Sequence, residues 1–212
     1  MKYILVILII VFAGCKKNEN FDDSKLDYIK ELSVFKNEFV DHFPQKLNDN
    51  NAPYGFCSTF PLKYECMSME LYETISTEKI ERLTDSLIII SQAIYGSSDT
   101  CMLIMNRFHN TIRMFQGINL STTERRLINR DCYKDKLPIQ NFYASDLATD
   151  ETRWKLPKDF VLYVLDAKKG KYWDDKYLYG GKYMPPEWEH GYSKGIAISK
   201  KRNIVLYWFV IW

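Results

Sequence analysis

Charge imbalance is the first thing this sequence lacks. Its 212 residues carry 29 Lys and Arg against 27 Asp and Glu. A chain so nearly neutral has no field to draw a polyanion, and no arginine-rich face is clustered along it, so nucleic acid is excluded as a partner. No glycine-rich phosphate loop is present, which argues against nucleotide chemistry. No H-E-x-x-H pair occurs. C-x₂-C spacing and a nearby histidine pair are missing too, so no metal site and no cofactor are implied. There is no internal repeat and no low-complexity tract.

What is there begins with the end of the chain. Gly195 to Ser199 and Ile204 to Trp212 read as two strands, joined by the polar run Lys200-Lys201-Arg202-Asn203 as a hairpin loop. The last run is β-branched and aromatic throughout. A strand apolar on both faces needs both covered, which places it inside the sheet. Alternation assigns Ile204, Leu206, Trp208, Val210 and Trp212 to one face and Val205, Tyr207, Phe209 and Ile211 to the other.

The beginning of the chain is equally apolar but different in kind. Lys2 precedes an apolar run from Tyr3 to Phe12. That run falls short of the roughly 20 residues a membrane-crossing helix needs, and it suits the core of a signal peptide. It closes in Phe12-Ala13-Gly14-Cys15, small residues before a cysteine, which resembles the lipobox of bacterial lipoproteins, with Phe12 in place of the usual leucine. The resemblance covers residues 1–15 only. It implies cleavage before Cys15 and acylation of its thiol and new amino group, hence a membrane anchor and residence in the cell envelope, on the outer membrane. Each buried CH₂ of an acyl chain adds about 0.8 kcal/mol to anchoring. Residues 15–24 are polar and read as a flexible tether. The lysines followed by Glu19, Asp22 and Asp23 resemble a signal for the outer face of the outer membrane, and the periplasmic face stands as the equal alternative.

With residues 1–14 a signal peptide and 15–24 a tether, residues 25–212 make one domain. If Cys15 carries lipid, Cys57, Cys66, Cys101 and Cys132 remain, an even number suited to an oxidising compartment. Three pairings are open; spacing favours Cys57 with Cys66 and Cys101 with Cys132.

Leu26, Ile29, Leu32, Phe35 and Phe39 recur at helical steps, which predicts one amphipathic helix ending before Pro44, with His42 interacting with its C-terminal dipole. A second helix is expected over 77–95, capped by Ser76 and stopped at Gly96, with Ile80, Leu83, Leu87, Ile90 and Ile94 inward and Ile88 and Ile89 broadening a well-buried stripe. Cys101 to Met105 reads as a short inner strand and Leu137 to Tyr143 as an edge strand. Ser121-Thr122-Thr123-Glu124 matches a capping box, and Phe160 to Leu165 is a buried strand. Helices first and tightly turned strands last mean an α+β fold: N-terminal helices packed on a mainly antiparallel sheet with a C-terminal β-hairpin.

The segment from Lys171 to Tyr192 carries the candidate contact residues. It gathers Tyr172, Trp173, Tyr177, Tyr179, Tyr183, Trp188 and Tyr192 among Asp174, Asp175, Glu187, Glu189 and His190. So many aromatics either staple a loop over the sheet or line a surface. Three functions follow. The first is a non-catalytic envelope lipoprotein that binds a protein partner. The second is a glycan-binding module that stacks sugars on these rings. The third is a hydrolase pairing His190 with an Asp or Glu, although no H-E-x-x-H accompanies it. A flat apolar patch favours the protein partner, and coplanar exposed rings favour glycan.

Overall fold

The computed structural model describes residues 28–47, 67–105, 121–128, 130–142, 147–152, 156–175, 178, 180–181 and 183–212. Cys15, Cys57, Cys66, Tyr177 and Tyr179 lie outside that set, and with them the expected lipid anchor and the expected Cys57–Cys66 pairing.

The fold is α+β. Five strands, β1 (Met67–Thr74), β2 (Ala93–Gly96), β3 (Val161–Lys169), β4 (Gly191–Ser199) and β5 (Ile204–Ile211), form one sheet in the order β1-β5-β4-β3-β2. Every neighbouring pair is antiparallel. The apolar C-terminal run is thus an interior strand, between β1 and β4. Asn203, in the hairpin loop, takes a positive φ of 55°, a conformation its short polar side chain tolerates. Asp159 secures the loop by accepting from the Arg202 guanidinium at 3.0 Å and from Ser199 Oγ.

The alternation along β5 sorts the molecule into two cores. Leu206, Trp208, Val210 and Trp212 face one cluster, with Leu162, Val164, Phe142, Phe160 and Met102–Met105. Val205, Tyr207, Phe209 and Ile211 face the other, with Tyr28, Phe35, Phe39, Phe43, Ile80 and Leu87. Helices therefore cover one face and irregular loops the other. Fully burying a large apolar side chain stabilises by roughly 1.5–3 kcal/mol, and β5 does so along nearly its whole length.

The N-terminal helix is broken rather than continuous. Residues 28–32 are helical (α1) and helix resumes as α2 (Asn37–Val40). Between them Lys36 is extended, with ψ 139°, and Ser33 Oγ donates to Lys30 O. That side-chain bond competes with helix continuation. The break lets Phe35 meet Phe209 edge-on at 5.1 Å while Phe39 stacks on the same ring at 5.0 Å. Ile29, expected inside, is exposed, and Tyr28 is buried in its place.

The second helix, α3 (Thr77–Ile90), is capped by Ser76 as the sequence predicts, its side chain accepting from Lys79 N. It stops earlier than expected. Ser91 is extended, Gln92 N–H donates to Val164 O, and residues 93–96 continue as edge strand β2. Strand alternation explains the outcome, because it alone sends Tyr95 into the loop-side core while Ile94 faces the other way. Ser121 and Glu124 form the full capping box at the start of α4 (Thr122–Arg125). The strands expected over 101–105 and 137–143 reduce to one isolated bridge, Ile104 with Ile139. Pro138 offers no N–H to a ladder, and its carbonyl instead accepts from Ser193 Oγ at 2.6 Å.

Candidate functional site

Two regions claim a functional reading, and they lie apart in character. The aromatic segment after β3 turns at Gly170, whose φ of 121° suits glycine alone. From there its rings divide between the two faces of the sheet. Tyr172 and Trp173 go to the helix side, where Trp173 tilts on Phe35 at 5.9 Å and Tyr172 meets Phe39 and Tyr192 edge-on at 6.3 and 4.7 Å. Tyr192 is buried there, and its hydroxyl donates to Asp166 Oδ2 at 2.5 Å. Burial pushes the Tyr192 hydroxyl well above the usual tyrosine range, and the Asp166 carboxylate adds to the rise. Asp166 answers in the opposite sense. Burial works against its charge, yet the Tyr192 hydroxyl, Lys168 and Gln92 hold its carboxyl below the usual value.

Trp188 goes to the loop side. It is buried, its carbonyl accepts from Trp212 Nε1 at 3.0 Å, and Lys169 Nζ sits 5.2 Å above its ring. Gly181 is pressed so close that an added Cβ would lie 2.7 Å from Met184 and 2.8 Å from Trp212. His190 turns Nδ1 to the main-chain oxygen of Trp212 at 3.3 Å, while Asp175 pairs with Lys171 at 3.1 Å. Tyr183 is half-buried at a positive φ of 69°. Of the described candidates, Tyr172, Trp173 and Tyr192 come together, and Trp188, Tyr183 and His190 do not join them. The described rings pack as staples for the segment, over both faces rather than one.

The second region is an apolar surface that sequence reasoning placed inside. Along α3 the buried positions are Ile80, Thr84 and Leu87. Ile88, Ile89 and Ile90 form the last turn and are 56 %, 83 % and 61 % exposed. Ile94, on the same sheet face of edge strand β2, is 44 % exposed, and Val161 beside that strand is 37 % exposed. Spacing sets only Ile89 opposite the buried stripe; Ile88 and Ile90, four residues after Thr84 and three after Leu87, flank it. β2 itself, Ala93-Ile94-Tyr95-Gly96, carries none of the charge, proline or bulge that ordinarily protects a sheet edge. These exposed residues gather along the chain at the end of α3 and on the β2–β3 pair at the sheet edge.

Just after α2 lies a strongly perturbed polar group, His42. His42 is buried over the β4–β5 ladder rather than capping a helix: Nε2 meets Trp208 O at 2.9 Å and the ring packs on Phe43 at 4.6 Å. The contact fits a neutral ring with its proton on Nε2. Nδ1 has no hydrogen-bond partner among the described residues. Lys194, itself buried, places its ammonium 2.6 Å from both Glu38 O and Asp41 Oδ1. Burial, reinforced by Lys194, pushes the His42 ring down to about 4 despite the opposing pull of the Trp208 and Gly195 main chain and Asp41.

Among the described residues no three His, Cys, Asp or Glu side chains are grouped to hold a metal ion, and no helix is long and apolar enough to cross a membrane. Comparison with protein-family models, with curated proteins and with solved structures returned no match.

Proposed function

We propose that this chain is an envelope lipoprotein, held to the outer membrane by lipid on Cys15, whose folded domain is non-catalytic and binds a protein partner. The observation that carries the binding half is the exposure of Ile88, Ile89, Ile90, Ile94 and Val161 at the end of α3 and along the β2 edge of the sheet. An apolar surface of this kind suits a protein partner better than a sugar, since its side chains are aliphatic and offer no ring to stack on. The anchor half rests on the signal-peptide core and the Ala13-Gly14-Cys15 ending.

Each half has its own test. Intact mass of the membrane-extracted protein is expected to show loss of residues 1–14 and acyl chains on Cys15; an unmodified thiol there refutes the anchor. A photo-crosslinking residue at position 89 is expected to trap a discrete partner band in intact cells, absent when the probe sits at exposed Glu78 on the first turn of α3. Equal trapping at both positions refutes the docking surface.

A further inference from the structure

The disulfide between Cys101 and Cys132 is chemically lopsided. It closes the loop that follows β2 onto the short 3₁₀ turn Asp131–Tyr133, with Cα atoms 5.7 Å apart. Both cysteines are half-buried. Arg130 reaches only one of the two sulfurs. Its Nη2 donates to Cys101 Sγ at 3.6 Å, and its Nη1 donates to Thr100 O at 2.9 Å. The guanidinium also lies over the Tyr133 ring at 5.6 Å, so it is held on three sides in that position. Asp99 opposes it, accepting from Cys101 N–H at 2.7 Å, but its other oxygen is turned to Lys136 at 3.8 Å. Cys132, by contrast, follows Asp131 directly in sequence.

A disulfide breaks fastest when the departing sulfur is the better-stabilised thiolate, and a fixed cation against sulfur stabilises the thiolate. We propose that Cys101–Cys132 is a directional thiol-exchange site: an incoming thiolate bonds to Cys132 Sγ and Cys101 leaves as the thiolate held by Arg130. The electron pair of the broken S–S bond passes to Cys101 Sγ, so this first step is an exchange with no net redox change. A dithiol donor completes a reduction. Its second thiolate attacks the mixed disulfide and releases Cys132; the donor becomes a disulfide and the protein gains two electrons and two protons. The chemical class served is therefore small thiols and the dithiol oxidoreductases of an oxidising compartment. Opening the bond would remove the covalent tie between the Met102–Met105 stretch of the loop-side core and the 131–139 segment, leaving the Ile104–Ile139 bridge to hold them.

The test exposes the full, folded chain briefly to glutathione, then quenches with excess iodoacetamide to cap the released thiol, followed by peptide mapping. The expected product carries glutathione on Cys132 and the alkyl cap on Cys101, in several-fold excess over the reverse. Arg130→Met is expected to slow exchange several-fold and erase the bias. Glutathione on Cys101, an even split, or no adduct at either cysteine without denaturant overturns the proposal. The wild-type product ratio decides the matter alone if Arg130→Met does not fold.

Discussion

Acidification from pH 7 to pH 5 is expected to weaken this fold through His42. The ring is only 6 % exposed, and its free nitrogen shares its surroundings with the Lys194 ammonium. In the folded protein the imidazole is held down at about 4, while in the unfolded chain it titrates near about 6.5. The unfolded state therefore takes up the proton first, and stability falls with pH across that interval and levels off below it. Linkage gives a loss of about 2 kcal/mol between pH 7 and pH 5, and about 3 kcal/mol in full. Glu73 acts in the opposite sense, because burial raises its carboxyl and the folded state gains as it protonates. Asp159 and Asp166, both held low, weaken the fold only at more acid pH, as their folded forms protonate. The way to isolate His42 is a difference. Urea unfolding at pH 7, 6 and 5 is run on the wild type and on His42→Gln, whose amide keeps a donor toward Trp208 O without a titrating group. The gap between the two proteins is expected to narrow by about 2 kcal/mol over that range. A gap constant to within about 0.5 kcal/mol refutes the assignment.

Lys194→Met removes the cation facing His42, so the ring's protonation midpoint, followed by NMR of its carbon-bound protons, is expected to rise; an unchanged midpoint counts against their coupling. Gly195→Ala is expected to cost about 3 kcal/mol in thermal or urea unfolding, since a Cβ would fall 2.3 Å from the Trp208 ring and 2.4 Å from Tyr163 O. Phe209→Ala strips the ring on which Phe35 and Phe39 both pack, at an expected cost of about 3–5 kcal/mol; a loss under about 1 kcal/mol would mean that the helices dock elsewhere. Ile89→Lys is expected to leave unfolding within about 0.5 kcal/mol of wild type, which separates a docking role from a structural one.

The hairpin β4–β5 was legible because a nine-residue run from Ile204 to Trp212 without a charge admits few other readings. Its two faces followed from alternation, and the two cores divide as that alternation assigns. Edge strand β2 was hidden because Ile90 and Ile94 stand four apart and imitate one more helical turn. Only the ladder with β3 decides for strand there. His42 was misplaced for a related reason: nothing local shows that the chain passes directly over the Gly195–Trp208 pair, a contact between residues more than 150 positions apart. The aromatic segment was conspicuous in composition, but composition carries no record of which ring turns to which face. That division depends on the bend at Gly170 and on the close approach at Gly191, where a Cβ would meet Lys168 O at 2.7 Å. Ile89 was read as interior because hydrophobicity was weighed above angular position, whereas Ile88 and Ile90 flank the stripe and are exposed all the same.

The seat of β5 between β1 and β4 has a consequence for how the molecule comes into being. During synthesis β1 emerges early and waits, since its one neighbour in the sheet is made after every other strand. Neither core can close until residues 204–211 are delivered, so the nascent chain stays loose for most of its manufacture. Under the export proposed for this chain, that delay would keep it threadable through a translocation pore.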